Sequence, residues 1–121
     1  MKVEGSATIR AGTQDYKQWQ FLESDGETAI DLTDVTEVVM RLKNETTGTV
    51  TEISTEDAPT ALEILSPATD GKVQLRPSPT VFSGQATYRF HFILTDSVGA
   101  HPIPEDHDET LKVIDGYPPS A

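Results

Sequence analysis

The sequence ATYRFHFIL at residues 86–94 holds the longest regular pattern in the chain, because apolar side chains occupy every second position. A period of two is typical of a β-strand that buries one face, whereas a helix would repeat its apolar residues every three or four positions. We therefore predict that residues 86–94 form the central strand of a sheet. The side chains of its buried face are then Ala86, Tyr88, Phe90, Phe92 and Leu94.

Shorter runs with the same period lie at residues 16–21, 38–43, 72–76 and 110–114. None of them shows a helical repeat, so we expect little or no helix. Pro77 and Pro79 end the third run, because proline cannot donate to a strand ladder. Together the runs predict a core made of Trp19, Phe21, Val38, Met40, Leu42, Val73, Leu75, Tyr88, Phe90, Phe92, Leu94, Leu111 and Val113.

Turn signals separate the runs, and each contains a glycine, which accepts a positive φ at no steric cost. They are Asp25-Gly26, Thr47-Gly48, Asp70-Gly71, Ser83-Gly84 and Val98-Gly99. Residues 44–48 join two runs in a hairpin, whose second strand at residues 49–53 is β-branched and predicted to lie at a sheet edge. Many short strands without helical connectors predict an antiparallel sandwich or barrel.

A local pattern around Tyr88 favours the sandwich. Immunoglobulin domains carry a tyrosine two residues before the second core cysteine, with its hydroxyl bonded back to the chain. The segment 84–90 has that form, with Phe90 in the cysteine position and the rings of Trp19 and Phe21 filling the volume of the disulfide. It departs from the pattern at Gly84, where an acidic residue is usual, and in the early position of Trp19; Tyr88 as an ordinary inward-facing residue is the alternative.

We therefore predict an all-β fold, an immunoglobulin-like antiparallel β-sandwich of about seven to nine strands. The length of 121 residues fits one domain, with strands between about residues 6 and 114 and a Pro-rich tail at 115–121. Without cysteine there is no disulfide, so the fold depends on packing.

The charge balance is strongly acidic, with 20 Asp and Glu against 9 Lys and Arg and a net charge of −11. This charge repels phosphate backbones and anionic lipids, so we expect neither nucleic acid nor membrane as a partner. No apolar run is long enough to cross a bilayer, and the first residues lack the apolar stretch of a signal peptide. A halophilic origin and an ordinary acidic surface both remain open.

In order along the chain, the sequence resembles the N-terminal immunoglobulin-like domain of baseplate upper proteins of tailed phages. The resemblance rests on WQF at 19–21, AIDLT at 29–33, VMRL at 39–42, DGKV at 70–73, SG at 83–84 and YRFHF at 88–92. The match as a whole covers about residues 6–114, and each of these pieces is short and common among sandwich domains.

The resemblance implies a structural module of a virion, assembled in the host cytoplasm. Its partners would be other virion proteins and copies of itself in a symmetric assembly, and it implies no catalytic residues and no cofactor. In the family a longer C-terminal part builds the host-binding assembly, whereas this chain stops at Ala121. We therefore expect a baseplate, tail, decoration or adaptor role instead of host recognition.

No enzyme motif is present, neither a nucleophile elbow nor a phosphate-binding loop nor a zinc-protease helix. The best chemical candidate is the acidic segment 101–109, which precedes the last run as a predicted loop. Its His, Asp and Glu side chains are weak candidates for metal ligands, because charge-dense loops usually face water. They are His101, Glu105, Asp106, His107 and Asp108. His91 alternates onto the polar face of the central strand, with no partner nearby in sequence.

Two other functions compete with the structural module. A carbohydrate-binding or adhesin module of a larger secreted system would need a planar exposed aromatic surface, for which only Tyr16 and Tyr117 remain outside the predicted core. A small hydrolase would need a pocket with converging polar groups, which spacing along the chain does not reveal.

Overall fold

A computed structural model describes residues 1–12, 16–57, 61–77, 81–82 and 84–114. This part of the chain forms ten strands and one short 3-10 turn at Ala68–Asp70. The strands are β1 Lys2–Gly5, β2 Thr8–Arg10, β3 Lys17–Leu22, β4 Glu37–Asn44, β5 Val50–Ser54, β6 Leu62–Ile64, β7 Lys72–Leu75, β8 Ala86–Thr95, β9 Ala100–Ile103 and β10 Glu109–Ile114. The prediction of an all-β sandwich with little helix is confirmed.

Two sheets face each other across the core. The four-stranded sheet has the order β1-β3-β7-β6, and the six-stranded sheet has the order β2-β10-β8-β4-β5, with β9 also paired to β8. These orders correspond to the ABED and GFC sheets of an immunoglobulin domain. The pairing is antiparallel except between β2 and β10, which run parallel. The strand β8 is central as predicted, because it pairs with β4, β9 and β10.

Aromatic rings from both sheets meet in the core. Trp19 on β3 lies edge-on to Phe90 on β8 with ring centroids 5.7 Å apart, and Phe21 contacts Phe92 at 4.9 Å. These tilted and edge-on arrangements are the favoured geometries of aromatic pairs. All thirteen predicted core side chains are buried. The Trp19–Phe90 contact joins the two sheets at a position comparable to that of the disulfide of immunoglobulin domains.

The hydroxyl of Tyr88 donates a hydrogen bond to the backbone oxygen of Val81 at 3.2 Å. This is the backward bond predicted from the segment 84–90, and its acceptor lies seven residues upstream. The bond ties the start of β8 to the connection that precedes it. Phe82, beside Val81, packs edge-on against the same tyrosine ring at 5.8 Å.

The described residues form ten strands, whereas about seven to nine were predicted. Four short strands were missed by the sequence pattern. They are β1, β2, β6 and β9, each only three or four residues long, too short to show a period. The strands therefore begin at Lys2 and not near residue 6. The predicted tail at 115–121 and Ser83 of one turn signal lie outside the described residues.

Gly71 fixes the connection between β3 and β4 against the four-stranded sheet. Its φ is +65°, and a Cβ atom there would lie 2.6 Å from the backbone oxygen of Ile30. Phe21 donates its backbone N–H to the oxygen of Gly71 at 2.7 Å, and Ile30 donates to the oxygen of Phe21 at 2.9 Å. The close approach of three backbone segments therefore requires glycine at this position.

Candidate interaction surface

The predicted metal-ligand residues do not come together around one point. His101 lies on β9 and not in a loop, and its Nε2 is 3.2 Å from Asp96 Oδ1. Glu105 instead accepts a hydrogen bond from the α-amino group of Met1 at 2.8 Å. Within the described residues, no group of three or more His, Cys, Asp or Glu is arranged to hold a metal ion. The segment 101–109 is thus divided between strand and loop, with its charged groups paired separately.

His107 pairs with carboxylates on both sides of it. Its Nδ1 is 2.7 Å from Asp106 Oδ1, and its Nε2 is 3.4 Å from Glu109 Oε1. The hydrogen bond to Asp106 raises the pKa of His107 and, in return, lowers the pKa of Asp106. The pKa of Glu105 is lowered mainly by its hydrogen bond with the α-amino group. All three groups are exposed, so this pairing contributes little to the stability of the fold.

His91 lies on the outer side of β8, as its alternation predicts, and it is half-buried. Its Nδ1 is 3.0 Å from Asp108 Oδ1. The two residues are 17 positions apart in the chain, so only the folded structure reveals the pair. The pair draws the loop between β9 and β10 against the outer face of the six-stranded sheet.

That outer face carries a row of apolar side chains across neighbouring strands. Val39 on β4 lies opposite Ile93 on β8, which in turn lies opposite Pro102 on β9. Val39 and Ile93 are half-buried and Pro102 is exposed. We call these three residues the apolar row. Such a row on the outer side of a sheet leaves apolar area that a partner can cover.

Cations lie on one side of the apolar row, the side away from the β8–β9 hairpin. Arg41 lies opposite His91, and Lys43 lies opposite Arg89, all on the outer side of β4 and β8. Five exposed cations in total point outward from this sheet, and we call them the cationic face. They are Arg10, Arg41, Lys43, Arg89 and Lys112. They make up five of the nine basic residues of the chain, concentrated on one face of an acidic protein.

Two carboxylates lie on the strands among these cations. Glu52 on β5 lies opposite Arg41, and Glu37 on β4 accepts a hydrogen bond from the hydroxyl of Ser54. A third, Glu45 in the β4–β5 turn, forms a salt bridge with Arg89. The loop at residues 105–108 brings three more carboxylates beside Arg89 and His91, so the carboxylates around this face are at least as many as its cations.

Two shallow grooves cross this sheet. One, of about 610 Å³, is lined by Arg10, Thr87 and Lys112 among others. The second, of about 530 Å³, lies between Arg89, His91 and the loop at residues 104–108. The first groove also contains apolar residues at 86, 113 and 114, whereas the second is lined mainly by charged and polar groups. Both are open at the surface, a form that suits contact with a macromolecule better than enclosure of a small ligand.

The outer face of the four-stranded sheet has a different chemistry. Gln18 donates its side-chain amide to Gln74 at 3.2 Å, and Gln20 donates to the backbone oxygen of Asp70 at 2.9 Å. Gln20 lies between two charged residues of the neighbouring strands, Glu4 on β1 and Lys72 on β7. We call these residues the glutamine face. Its amides satisfy one another, and its charges balance locally.

The strand β5 ends the path of the six-stranded sheet, as predicted from its β-branched composition. It begins at Val50, one residue later than expected, and Val50 is 45% exposed. Backbone bonds join Asn44 to Thr49 and Thr55 to Val38, so the alternate residues between them turn their backbone groups outward. Within the described part of the chain no strand pairs with this outer edge. It is an open template for strand addition.

The aromatic side chains offer little exposed ring surface. Among the described residues only Tyr16 exposes a large part of an aromatic side chain, at 57%, and Tyr117 lies outside them. The rings of Trp19, Phe90 and Phe92 are buried between the sheets. The described surface therefore has no planar aromatic platform of the kind that stacks on sugars.

Comparison with protein-family models gives no match, and a search of curated proteins gives no significant match either. The described residues contain no helix that is both long and apolar enough to span a membrane. Interpretation of the surface therefore rests on its own chemistry.

Proposed function

We propose that this protein is a non-catalytic structural component of a tailed virus particle, in the baseplate or tail or as a decoration or adaptor protein, and that it acts through protein–protein contacts. The observation that carries the contact role is the outer face of the six-stranded sheet, where the apolar row of Val39, Ile93 and Pro102 lies on the same side as five exposed cations. An apolar centre with a charged surround is the usual composition of a protein interface. The placement in a virion rests on the sequence resemblance.

A structural role also agrees with the distribution of apolar residues between the core and the surface. The large rings lie in the core and hold the two sheets together, while the outer surface offers rows, edges and charged loops. Contacts of this kind can be repeated many times in a symmetric assembly. We therefore place the partners among other virion proteins and copies of the same chain.

The proposal can be tested by mixing the purified chain with tail, baseplate and head proteins encoded beside it and measuring association by sedimentation. We expect the wild type to bind at least one virion component. The double variant Val39→Thr/Ile93→Thr keeps β-branched residues on the strands but removes apolar area, and we expect it to weaken binding by about tenfold.

The matched control is Gln18→Thr/Gln74→Thr on the glutamine face, which we expect to bind like the wild type. Circular dichroism of both variants checks that the sandwich is intact. If the wild type binds no virion component, the proposed function is wrong. Equal loss in both double variants would instead move the contact away from the apolar row.

A further inference from the structure

The strand β5 leaves part of its outer edge open. Its register with β4 means that Thr51 and Ile53 turn their backbone groups towards β4. Val50 and Glu52, which alternate with them, therefore turn their backbone N–H and C=O groups away from the sheet. Both residues are exposed, whereas Ser54 at the end of the strand is buried. Among the ranges that the structure describes, no strand pairs with this edge.

The other outer strands of the two sheets are protected against pairing. The strands β2 and β6 have only three residues each. The strand β1 begins with the exposed Lys2, and β9 contains Pro102, which has no N–H to donate. Short length, lysine and proline are devices that keep sheet edges from pairing. Since β5 is longer and contains neither Lys nor Pro, it is the edge best suited to accept a further strand.

The side chains of this edge add apolar area to the outward backbone groups. Val50 is 45% exposed, and in the described part of the chain only Tyr16 and Val98 are other large hydrophobic residues with such exposure. On the inner side of the sheet, Ile53 is buried and Thr51 is half-buried at the margin of the core. An added strand would therefore cover Val50 and extend the core beyond Ile53.

Glu52 sets the charge that an added strand should carry. It is exposed in the middle of β5, and Glu56 and Asp57 are exposed just beyond the end of the strand. Arg41 and Lys43 lie on β4, one strand further from the edge, so an incoming side chain meets Glu52 first. Opposite charges on neighbouring strands stabilise a sheet, and like charges destabilise it. A lysine or arginine opposite Glu52 is therefore favoured.

We infer that β5 binds an extended segment of a partner protein as an additional antiparallel strand, with a basic residue opposite Glu52 and apolar residues beside Thr51 and Ile53. Val50 and Glu52 then each exchange a pair of backbone hydrogen bonds with the segment. The antiparallel direction continues that of the pairs β4–β5 and β4–β8. This contact goes beyond the proposed function, because it neither involves the apolar row nor depends on placement in a virion.

A basic segment of another protein fits this edge better than a second copy of the chain does. A copy would bring its own Glu52 in place of a cation, together with a net charge of −11 that opposes its approach. The same net charge attracts a basic segment over a distance. The charge of the chain and the carboxylate on β5 thus select the same occupant.

Short synthetic peptides added to the full chain test the inference. The basic probe is Thr-Val-Lys-Val-Thr with capped ends, which places lysine between two inward-facing valines, and the acidic probe has Glu in place of Lys. A third probe carries an N-methyl group on the lysine amide, whose N–H would bond to Glu52. A fourth carries it on the following valine amide, which points away from β5. Nuclear magnetic resonance of the backbone amides measures where and how strongly each probe binds.

We expect the basic probe to shift the amide signals of Val50 and Glu52 and to slow their hydrogen exchange at least about tenfold. The acidic probe should bind at least about fivefold more weakly, because it places a like charge opposite Glu52. Methylation of the lysine amide should abolish binding, since it removes a donor that faces β5. Methylation of the valine amide should change the affinity by less than about threefold, since that amide faces away.

Two charge reversals of the chain form a matched pair. Glu52→Lys should bind the acidic probe better than the basic probe, because the cation on β5 then favours a carboxylate opposite it. Glu63→Lys makes the same change on β6 of the other sheet and should keep the preference of the wild type. Circular dichroism checks that both variants retain the sandwich.

The inference is overturned if the basic probe shifts signals away from β5, or shifts none at the highest concentration that stays soluble. It is also overturned if methylation of the lysine amide makes no difference, or if Glu52→Lys still prefers the basic probe. Slowed exchange of Val50 and Glu52 through self-association of the chain would assign the edge to a second copy and overturn it as well. No virion component takes part in these experiments, so their failure would leave the sedimentation test of the proposed function unaffected.

Discussion

The two outer faces of the sandwich are both formed by antiparallel strands that share one core, yet their chemistry differs. On the four-stranded sheet, Gln18 and Gln74 bond to each other across β3 and β7, so the polar groups are satisfied within the sheet. On the six-stranded sheet, Lys43 and Arg89 face each other on the same side as the half-buried Val39 and Ile93. The first face is complete by itself, whereas the second has charge and apolar area that a partner could complement. The comparison teaches that sheet position alone does not make a contact surface.

The largest expected effect comes from removing the core that both faces share. Phe92 is a residue of β8 whose ring lies in the core and contacts Trp19, Phe21 and Phe90. The variant Phe92→Ala would therefore leave a cavity between the sheets. We expect a loss of about 3–5 kcal/mol in the free energy of unfolding, measured by urea denaturation. Because both sheets pack on this core, the variant would destabilise the sheets that form both outer faces.

The matched control for this variant is the next residue along the strand. Ile93→Ala removes a half-buried side chain from the outer side of β8, and we expect it to cost less than about 1.5 kcal/mol. Similar losses in the two variants would mean that the alternation along β8 does not separate the core from the outer face.

A smaller effect is expected when the glutamine face is given positive charge. Gln18→Lys/Gln74→Lys removes the hydrogen bond between the two side-chain amides of β3 and β7. It also creates a cationic surface without an apolar row. We expect stability to fall by about 1 kcal/mol, and self-association measured by sedimentation to change by less than about twofold. Cations alone would then be insufficient for docking.

The placement of the charge is the control for this experiment. Adding one lysine to the six-stranded sheet through Thr110→Lys keeps the new charge beside the apolar row, on an exposed position opposite Arg89. Stronger association in this variant, but not in the glutamine-face variant, would sharpen the contrast between the faces. A gain in the glutamine-face variant would show that net positive charge is the only requirement.

The smallest effect concerns the connection between β3 and β4 at low pH. Hydrogen bonds from the Thr28 hydroxyl and from the backbone of Thr28 and Glu27 lower the pKa of Asp25 from 3.8 to about 2. A lowered pKa means that the ionised side chain stabilises the fold above pH 3.8 and that this contribution disappears as the pH falls towards 2. We expect wild type and Asp25→Asn to differ in stability at neutral pH and to converge over that interval, as measured by urea denaturation.

Asp34→Asn serves as its control, because it removes the same charge from the same connection without touching the Asp25 turn. Its difference in stability from the wild type at neutral pH should be smaller than that of Asp25→Asn. A constant difference between wild type and Asp25→Asn would contradict the role of the turn hydrogen bonds.

Much of the fold follows from the local pattern of the chain. Residues 86–94 alternate strictly enough to identify the central strand, and the thirteen side chains predicted for the core are all buried. The pattern could not find Leu32 or Phe82, which are buried from connections, because a single apolar residue in a loop has no period. It also missed Ile103, since the prolines around it suggested a loop where β9 pairs with β8.

The candidate site was harder to predict than the core. The sequence drew attention to the segment 101–109, whose charged groups pair separately in the structure, as His107 does with Asp106. The apolar row went unnoticed because Val39, Ile93 and Pro102 lie far apart in the chain and are joined only by strand register. The cationic face was hidden in the same way within an acidic composition.

By itself the sequence determined that the chain is built of β-strands and which side of each long strand is buried, and it favoured a sandwich in which Tyr88 bonds back to the preceding connection. These properties depend on side-chain alternation and on contacts between neighbours in sequence, which are local. Only the tertiary structure decided which outer side chains become neighbours, because sheet order and register bring together residues that are distant along the chain. The division into a glutamine face and a cationic face is therefore a property of strand order and not of any one segment.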